Sequence, residues 1–413
     1  MTRRRDLGIY GHGQFAVDYE SRVDYAALRQ DRIERTRGVM AERGLDALLV
    51  WKDENVRFIS GLRAQIIQGK SALLNGCLLT SEGEVTLFLS GGEVDRARNV
   101  MTWINEIHAI PIMEARNLIA GAFDHVIGPV LRKLGLDRGR VGVDEIAFAQ
   151  LEEFRRALPE VDLGDADAVM QRVRLVKSPE DLAMMQEAAA IGDAVTEAAI
   201  AAVRPGVREY DVVAEAMHTL FSLGGEMAHL ATPFVASGEH MAPPNRFASD
   251  KIIREGDVVF IDIGAQYNGH FADVGRTVVC GSPSRRQQEI FTAVYYALRA
   301  GVAAMQPGNT NDDVAVAVVD AGRERGLGQN FLSLFIGHGI GMGSNEPPYV
   351  GESQPGADTV TLQESMTMAL EPLIWVPGVR GGGGVRLEDT VAVGRDGGIA
   401  LTRTRFDERL LID

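Results

Sequence analysis

The stretch Val258-Val259-Phe260-Ile261-Asp262-Ile263-Gly264-Ala265-Gln266-Tyr267-Asn268-Gly269-His270-Phe271-Ala272-Asp273 decides the fold. Asn-Gly between two β-rich runs is the strongest short hairpin signal. With Asn268 and Gly269 as a two-residue turn, Tyr267 faces His270 and Gly264 faces Asp273. Residue 262 points the same way as residue 264, so Asp262 and Asp273 become diagonal neighbours on one face. Asp262 is embedded in an otherwise apolar strand, and two carboxylates held that close repel unless positive charge joins them. The pair therefore points to a cation site.

Three further segments carry chemistry. In Phe335-Ile336-Gly337-His338-Gly339-Ile340-Gly341, one imidazole sits among glycines that let backbone approach closely. In Met368-Ala369-Leu370-Glu371-Pro372, an apolar strand ends on an acid. In Gly384-Val385-Arg386-Leu387-Glu388-Asp389-Thr390, alternation puts Arg386 and Glu388 on one face and Leu387 on the other. Asp262, Asp273, His338, Glu371 and Glu388 together offer four carboxylates and one imidazole, enough to hold two divalent ions.

The rest of the chain bounds what surrounds that site. Its 413 residues exceed one comfortable core, so two domains are expected. With 42 Lys+Arg against 57 Asp+Glu the net charge is −15, which argues against a nucleic-acid or anionic-membrane surface. Cys77 and Cys280 are too few and too far apart for a disulfide framework or a cysteine zinc site, and a reducing cytoplasm is expected. The basic start leads into no apolar run, and eighteen uninterrupted apolar residues occur nowhere, so neither a targeting signal nor a membrane helix is expected. Periodicity predicts helices near 21–45, 92–102, 117–135 and 145–157 around strands at 47–51, 72–79 and 85–89, a β/α alternation. Ser178-Pro179-Glu180 then opens a helix running to about 202. Helices near 209–223, 284–305 and 311–325 follow, between strands rich in Gly and carboxylates. The boundary is placed on the basic segment from Arg172 to Lys177, giving domains 1–172 and 173–413.

In order and context the five candidate ligands resemble the pita-bread metallohydrolase family of methionine aminopeptidase, aminopeptidase P, prolidase and creatinase. The family pattern is met at Asp262, at Asp273 eleven residues on, at His338 in Gly-His-Gly, at Glu371 before Pro372 and at Glu388 before Asp389-Thr390. The resemblance spans about 178 to 405. It is weaker in the first domain, where Glu54-Asn55-Val56-Arg57-Phe58-Ile59-Ser60-Gly61 resembles the family's asparagine-arginine-aromatic segment. A substantial N-terminal domain favours the creatinase, prolidase and aminopeptidase P branch. The fold so implied is α/β, a creatinase-like N-terminal α/β domain followed by a C-terminal pita-bread α+β metal-binding domain.

The resemblance also implies a site. Asp262 would hold one ion through both oxygens, Asp273 and Glu388 would bridge the pair, and His338 and Glu371 would complete the other shell. Glu371 would also take a proton from the bridging water. Mn2+, Zn2+, Co2+ and Fe2+ all suit such ligands. The activity implied is hydrolysis of a C–N bond in a small peptide or amide by a cytoplasmic homodimer. Trp51, Lys52, Asn55 and Arg57 would then either reach a neighbouring subunit's site or pack within their own chain.

Four departures stand out. Peptide-cleaving members carry His after Pro before the first metal strand, where Pro244 is followed here by Asn245. They carry another His seven residues after the ligand His, where this chain has Asn345 in Asn345-Glu346-Pro347. His270 replaces an aromatic after the hairpin glycine, and Gly275 replaces Thr or Ser before Arg276-Thr277. Asn can donate a hydrogen bond but supplies neither charge nor a proton near neutrality. His240, five residues before Asn245, and His270 are the candidates to stand in, with Arg386 beside the carboxylates. The departures keep open a creatinase-like amidinohydrolase or a metal-assisted lyase acting on a small metabolite.

Overall fold

The computed structural model describes residues 23–63, 71–241, 247–331, 336–351 and 359–412, so Asn245 lies outside the described residues. The chain divides into two compact units, one ending at Arg174 and the other beginning at Leu175.

The first unit is built on a six-stranded sheet. Its strands are β1 (Ala47–Val50), β2 (Asn75–Thr80), β3 (Val85–Ser90), β4 (Glu106–Ile110), β5 (Arg140–Val143) and β6 (Asp162–Asp165), in the order β4-β3-β2-β1-β5-β6. The β1–β2–β3 neighbours run antiparallel, while β3–β4, β1–β5 and β5–β6 are parallel, as β/α alternation requires. Trp51, Phe88, Phe123 and Phe154 fill its core. The helix expected near 117–135 is interrupted. It runs Arg116–Ala122, opens into a wide π-type turn over Phe123–Ile127 and resumes at Gly128–Lys133. Pro129 has no N–H to continue the ladder, which accounts for the slip. Asp144 accepts from Trp51 N, Lys52 N and Asn55 Nδ2 at 2.7, 3.1 and 2.8 Å, anchoring the helix Asp53–Ser60. Trp51 and Asn55 are fully buried and Lys52 pairs with Asp167, so these three pack within their own unit.

In the second unit an antiparallel sheet carries everything of interest. Its path is β13-β12-β14-β17-β11-β8-β7, with β18 (Gly397–Ala400) beside β17. The strands are β7 (Phe234–Ser237), β8 (Val258–Asp262), β11 (Val274–Val279), β12 (Gly337–Gly339), β13 (Glu346–Val350), β14 (Thr367–Leu370) and β17 (Glu388–Gly394). Two short ribbons complete it, β9 (Ala265–Tyr267) with β10 (His270–Ala272) and β15 (Leu373–Trp375) with β16 (Gly384–Arg386).

Four helices cover this sheet. Pro179–Ala202 opens on the expected cap, with Ser178 accepting from Asp181 N and Pro179 at its first position. It packs with Glu209–Ser222 against β7 and β8 through Val195, Val212, Val235, Val259 and Ile261. Arg285–Ala304 and Asn311–Glu324 bury Phe291, Leu298 and Val318 against Met368, Leu370 and Val391. By the ladder register Val259, Ile261, Val391, Met368 and Leu370 share one face of the sheet, so both helix pairs cover that face, while Asp262, Gly275 and Glu388 lie on the other. Among the described residues no helix is long and apolar enough to cross a membrane.

Candidate metal centre

The hairpin forms as its turn residues dictate. Asn268 and Gly269 both have positive φ, 48° and 78°, and β9 pairs with β10 at Tyr267↔His270. The same register runs on into β8 and β11, where Asp262 pairs with Gly275. Asp262 and Asp273 therefore face one another diagonally. Thr390 clasps the backbone of Asp273, its hydroxyl accepting from Asp273 N and donating to Asp273 O, each at 2.8 Å.

Glu388 enters from the adjacent strand, paired with Gly275. A Cβ at position 275 would come within 2.8 Å of Glu388 Oε2, so this glycine leaves room for the carboxylate. Glu371 follows β14, its N–H donating to Ile336 O at 2.7 Å. His338 sits at the centre of β12, sandwiched between β13 and β14. Both flanking glycines are required there. A Cβ on Gly337 would meet Ala369 O at 2.4 Å and one on Gly339 would meet Pro347 O at 2.2 Å.

Of these five residues, Asp262, Asp273, His338 and Glu371 line a cavity of about 220 Å3, whose wall also includes Leu230, Phe234, Leu373 and Asn345, and Glu388 brings a carboxylate oxygen within 4.8 Å of theirs. All five are at most 2% exposed. Five carboxylate oxygens there have no hydrogen-bond partner, namely Asp262 Oδ1, Asp273 Oδ1, Glu371 Oε1 and both oxygens of Glu388. Unpartnered buried acceptors are costly, and oxygen donors with imidazole are what divalent ions take. The residues present thus fit a metal pair. Arg386 contributes the protein's own positive charge, its guanidinium touching Glu371 and lying 3.6 Å from Asp262 and 3.8 Å from Glu388.

The carboxyl groups cannot all ionise freely. Burial and the Asp273 charge hold Asp262 well above the usual carboxylate range. Burial, Asp273 and Asp262 do the same to Glu388. Asp273 stays below the usual range because His229 beside it outweighs burial. Burial brings His338 down to about 4 against the pull of Asp273.

His229 is the residue the sequence reading missed. It lies on the cavity wall with Nδ1 2.9 Å from Asp273 Oδ2. Burial lowers its pKa, but Asp273 and Asp262 override that and hold the ring at about 9. Its backbone is fixed because the segment from Glu226 to His229 runs beside the hairpin, with His229 N donating to Ile263 O at 2.9 Å. Gly264 makes this approach possible. Its φ is 55°, and a Cβ there would lie 2.7 Å from that of His229. The flanking Ala228 and Leu230 give no motif, and His229 stands thirty-three positions before Asp262, so nothing local marks it.

Neither histidine singled out as a stand-in reaches the cavity wall. His270 is three residues from Asp273, an odd offset that turns it to the opposite face of the strand. There its Nε2 meets Asp181 Oδ1 and its Nδ1 meets Asn268 O, each at 3.0 Å. His240 lies on the turn after β7, with Nδ1 3.4 Å from Ser249 Oγ and 3.6 Å from buried Glu209. Asn345 does line the cavity, braced by its neighbour Glu346, which pairs with buried Lys177 at 3.0 Å.

A buried cluster of acids and imidazole on a helix-covered antiparallel sheet defines a metallohydrolase. Residues 183–395 match the model of metallopeptidase family M24 and residues 32–176 that of the creatinase/prolidase N-terminal domain. The chain belongs to metallopeptidase family M24, in its creatinase and prolidase branch, with a creatinase-type N-terminal domain and a C-terminal pita-bread domain. It is 30% identical to the Xaa-Pro dipeptidase of Pyrococcus furiosus over 376 residues, covering 91% of this chain and 98% of that relative. Among solved structures it resembles the Xaa-Pro dipeptidase from Bacillus anthracis at 25% identity and TM-score 0.78, covering 92% of this chain and 99% of that one. It also resembles the prolidase from Pyrococcus horikoshii at 28% identity and TM-score 0.76, covering 91% and 99%.

Proposed function

We propose that this chain is a dinuclear metal-dependent peptidase that hydrolyses the C–N bond of a short peptide of the Xaa-Pro type. The observation that carries the reading is the convergence of five partnerless carboxylate oxygens and one imidazole in and beside one cavity. Asp262, Asp273, His338, Glu371 and Glu388 would hold two divalent ions, drawn from Mn2+, Zn2+, Co2+ and Fe2+. Such ions lower the pKa of a water and polarise a carbonyl.

The remaining work falls to side chains. Glu371 reaches the cavity with Oε1 free of hydrogen bonds, the atom suited to take a proton from the attacking water and return it to the leaving nitrogen. Asn345 donates its amide N–H to the substrate carbonyl oxygen as charge develops there. Leu230, Phe234 and Leu373 form an apolar wall suited to a proline ring. Arg386 offsets the carboxylate charge and holds Glu371 in place. The balance is simple: one water and one peptide bond give an acid and an amine.

The same reading places the protein as a homodimer in the cytoplasm, where Cys77 and Cys280 would stay reduced, and both are free and buried. The test is a panel of Xaa-Pro dipeptides and tripeptides with protein reconstituted in Mn2+, Co2+ or Zn2+, beside a chelated control. Turnover that disappears on chelation is expected. Two bound ions with no peptide cleaved anywhere in the panel would refute it.

A further inference from the structure

His229 and His338 are arranged alike, although the family pattern supplies only the second. Their rings stack nearly parallel, 11° apart with centroids 5.9 Å apart. Each ring ties one nitrogen to a backbone carbonyl. His338 Nδ1 lies 2.9 Å from Gly339 O, and His229 Nε2 lies 3.0 Å from Ser344 O. A carbonyl oxygen only accepts, so those are the nitrogens that carry a hydrogen. In the neutral ring the other nitrogen then presents its lone pair inward, in His229 once an incoming ion has displaced the proton it carries, and both face the same atom. His229 Nδ1 is 2.9 Å and His338 Nε2 3.8 Å from Asp273 Oδ2.

The His229 contact, though short, lacks the alignment of a hydrogen bond, and Nδ1 counts among the buried atoms without such a partner. Donor atoms of His229, Asp273 and His338, one from each, lie within 4.8 Å of one another, close enough to share one ion. Anchoring the outer N–H of an imidazole to a carbonyl is how proteins fix the tautomer and direction of a metal-binding histidine.

We infer that His229 is a sixth metal ligand, binding through Nδ1 the ion that Asp273 and His338 hold, so that the site carries two imidazoles rather than one. This rests on the metal-site reading above. It has a chemical corollary. A second nitrogen donor shifts the site toward Zn2+ and Co2+ and away from Mn2+, which favours oxygen. Phe271, edge-on to His229 at 6.1 Å, and the backbone pairing with Ile263 leave the ring little freedom to turn elsewhere.

The experiment uses the full chain loaded with Zn2+. X-ray absorption at the zinc edge counts imidazoles per metal pair, and metal analysis with competitive chelation measures stoichiometry and affinity. Two imidazoles per pair are expected in the wild type and one in His229→Ala, with the affinity for one of the two ions falling at least about a hundredfold, beyond what loss of an outer partner gives. If His229→Ala does not fold, the wild-type count alone decides. One imidazole per pair in the wild type, or a folded His229→Ala that keeps both ions at unchanged affinity, overturns the assignment while leaving the five-ligand site standing. A wild type that takes up no stoichiometric metal overturns both.

Discussion

Arg276 offers the sharpest test of how the metal-bearing strands are held. Its side chain is 1% exposed, and its guanidinium spans from β11 to β17. It donates to Asp389 Oδ1 at 2.8 Å, to Thr404 O at 2.9 and 2.6 Å, to Gly275 O at 2.9 Å and to Glu388 O. Phe406 covers it, 4.3 Å from ring centroid to guanidinium carbon. Arg276→Met keeps much of the stem but leaves the buried Asp389 carboxylate with only the Thr402 hydroxyl, 2.8 Å away. Removing one partner of a buried ion pair costs about 3–5 kcal/mol, since an uncompensated charge stays behind. Asp389→Asn added to Arg276→Met removes that charge, so the double variant should be less destabilised than the sum of the singles by about 1–3 kcal/mol. Urea unfolding followed by far-UV circular dichroism on all four proteins closes the cycle. Because Arg276 also grips the backbone of Glu388, Zn2+ affinity should fall in Arg276→Met. A loss below about 1 kcal/mol, or strictly additive singles, would refute the argument that this buried pair sets the strands in place.

Three further outcomes follow from the geometry. Gly337→Ala and Gly339→Ala each drive a Cβ into backbone carbonyl and should destabilise the second unit by roughly 2 kcal/mol or more with loss of bound metal, read by thermal unfolding and metal analysis. Asn345→Ala removes the donor proposed for the carbonyl oxygen and should lower kcat about 10²-fold with KM little changed, while Asn345→His recovers activity; a fall in KM-dependent terms alone would contradict that role. Metal uptake should also depend on pH. In the metal-free protein His229 is held at about 9 and Asp262 and Glu388 are raised, so protons occupy the site at neutrality and an incoming ion must displace them. Affinity for Mn2+ should therefore rise between about pH 6 and 9, and calorimetry in buffers of different ionisation enthalpy should register proton release; an affinity flat across that window would contradict it.

Much of this was legible in the chain because its signals are local. Asn268-Gly269 set a turn, the turn set a register, and the register put Asp262 and Asp273 on one face. Gly337 and Gly339 announced a strand pressed on both sides, and alternation placed Glu388. What escaped depends on tertiary packing. His229 belongs to no motif and reaches Asp273 only because residues 226–229 lie along the hairpin. His270 stands on the metal hairpin, but pleat parity, which proximity along the chain does not convey, turns it toward the helix that begins at Pro179. His240 depends on long-range contacts instead, since Glu209 and Ser249 draw it toward the helix Glu209–Ser222. The π-type turn at Phe123–Ile127 escaped because helical periodicity does not record where a missing donor widens the coil.

The single register shared by the hairpin turn and the β8–β11 ladder has a consequence for how this chain can vary. A one-residue insertion or deletion between Asp262 and Asp273 would exchange the faces of one arm and send an acid out of the cluster. Lengthening each arm by one residue would keep the two opposed. The hairpin is in effect a ruler graduated in pairs, and descendants of this sequence can change its length only by even steps without losing the site.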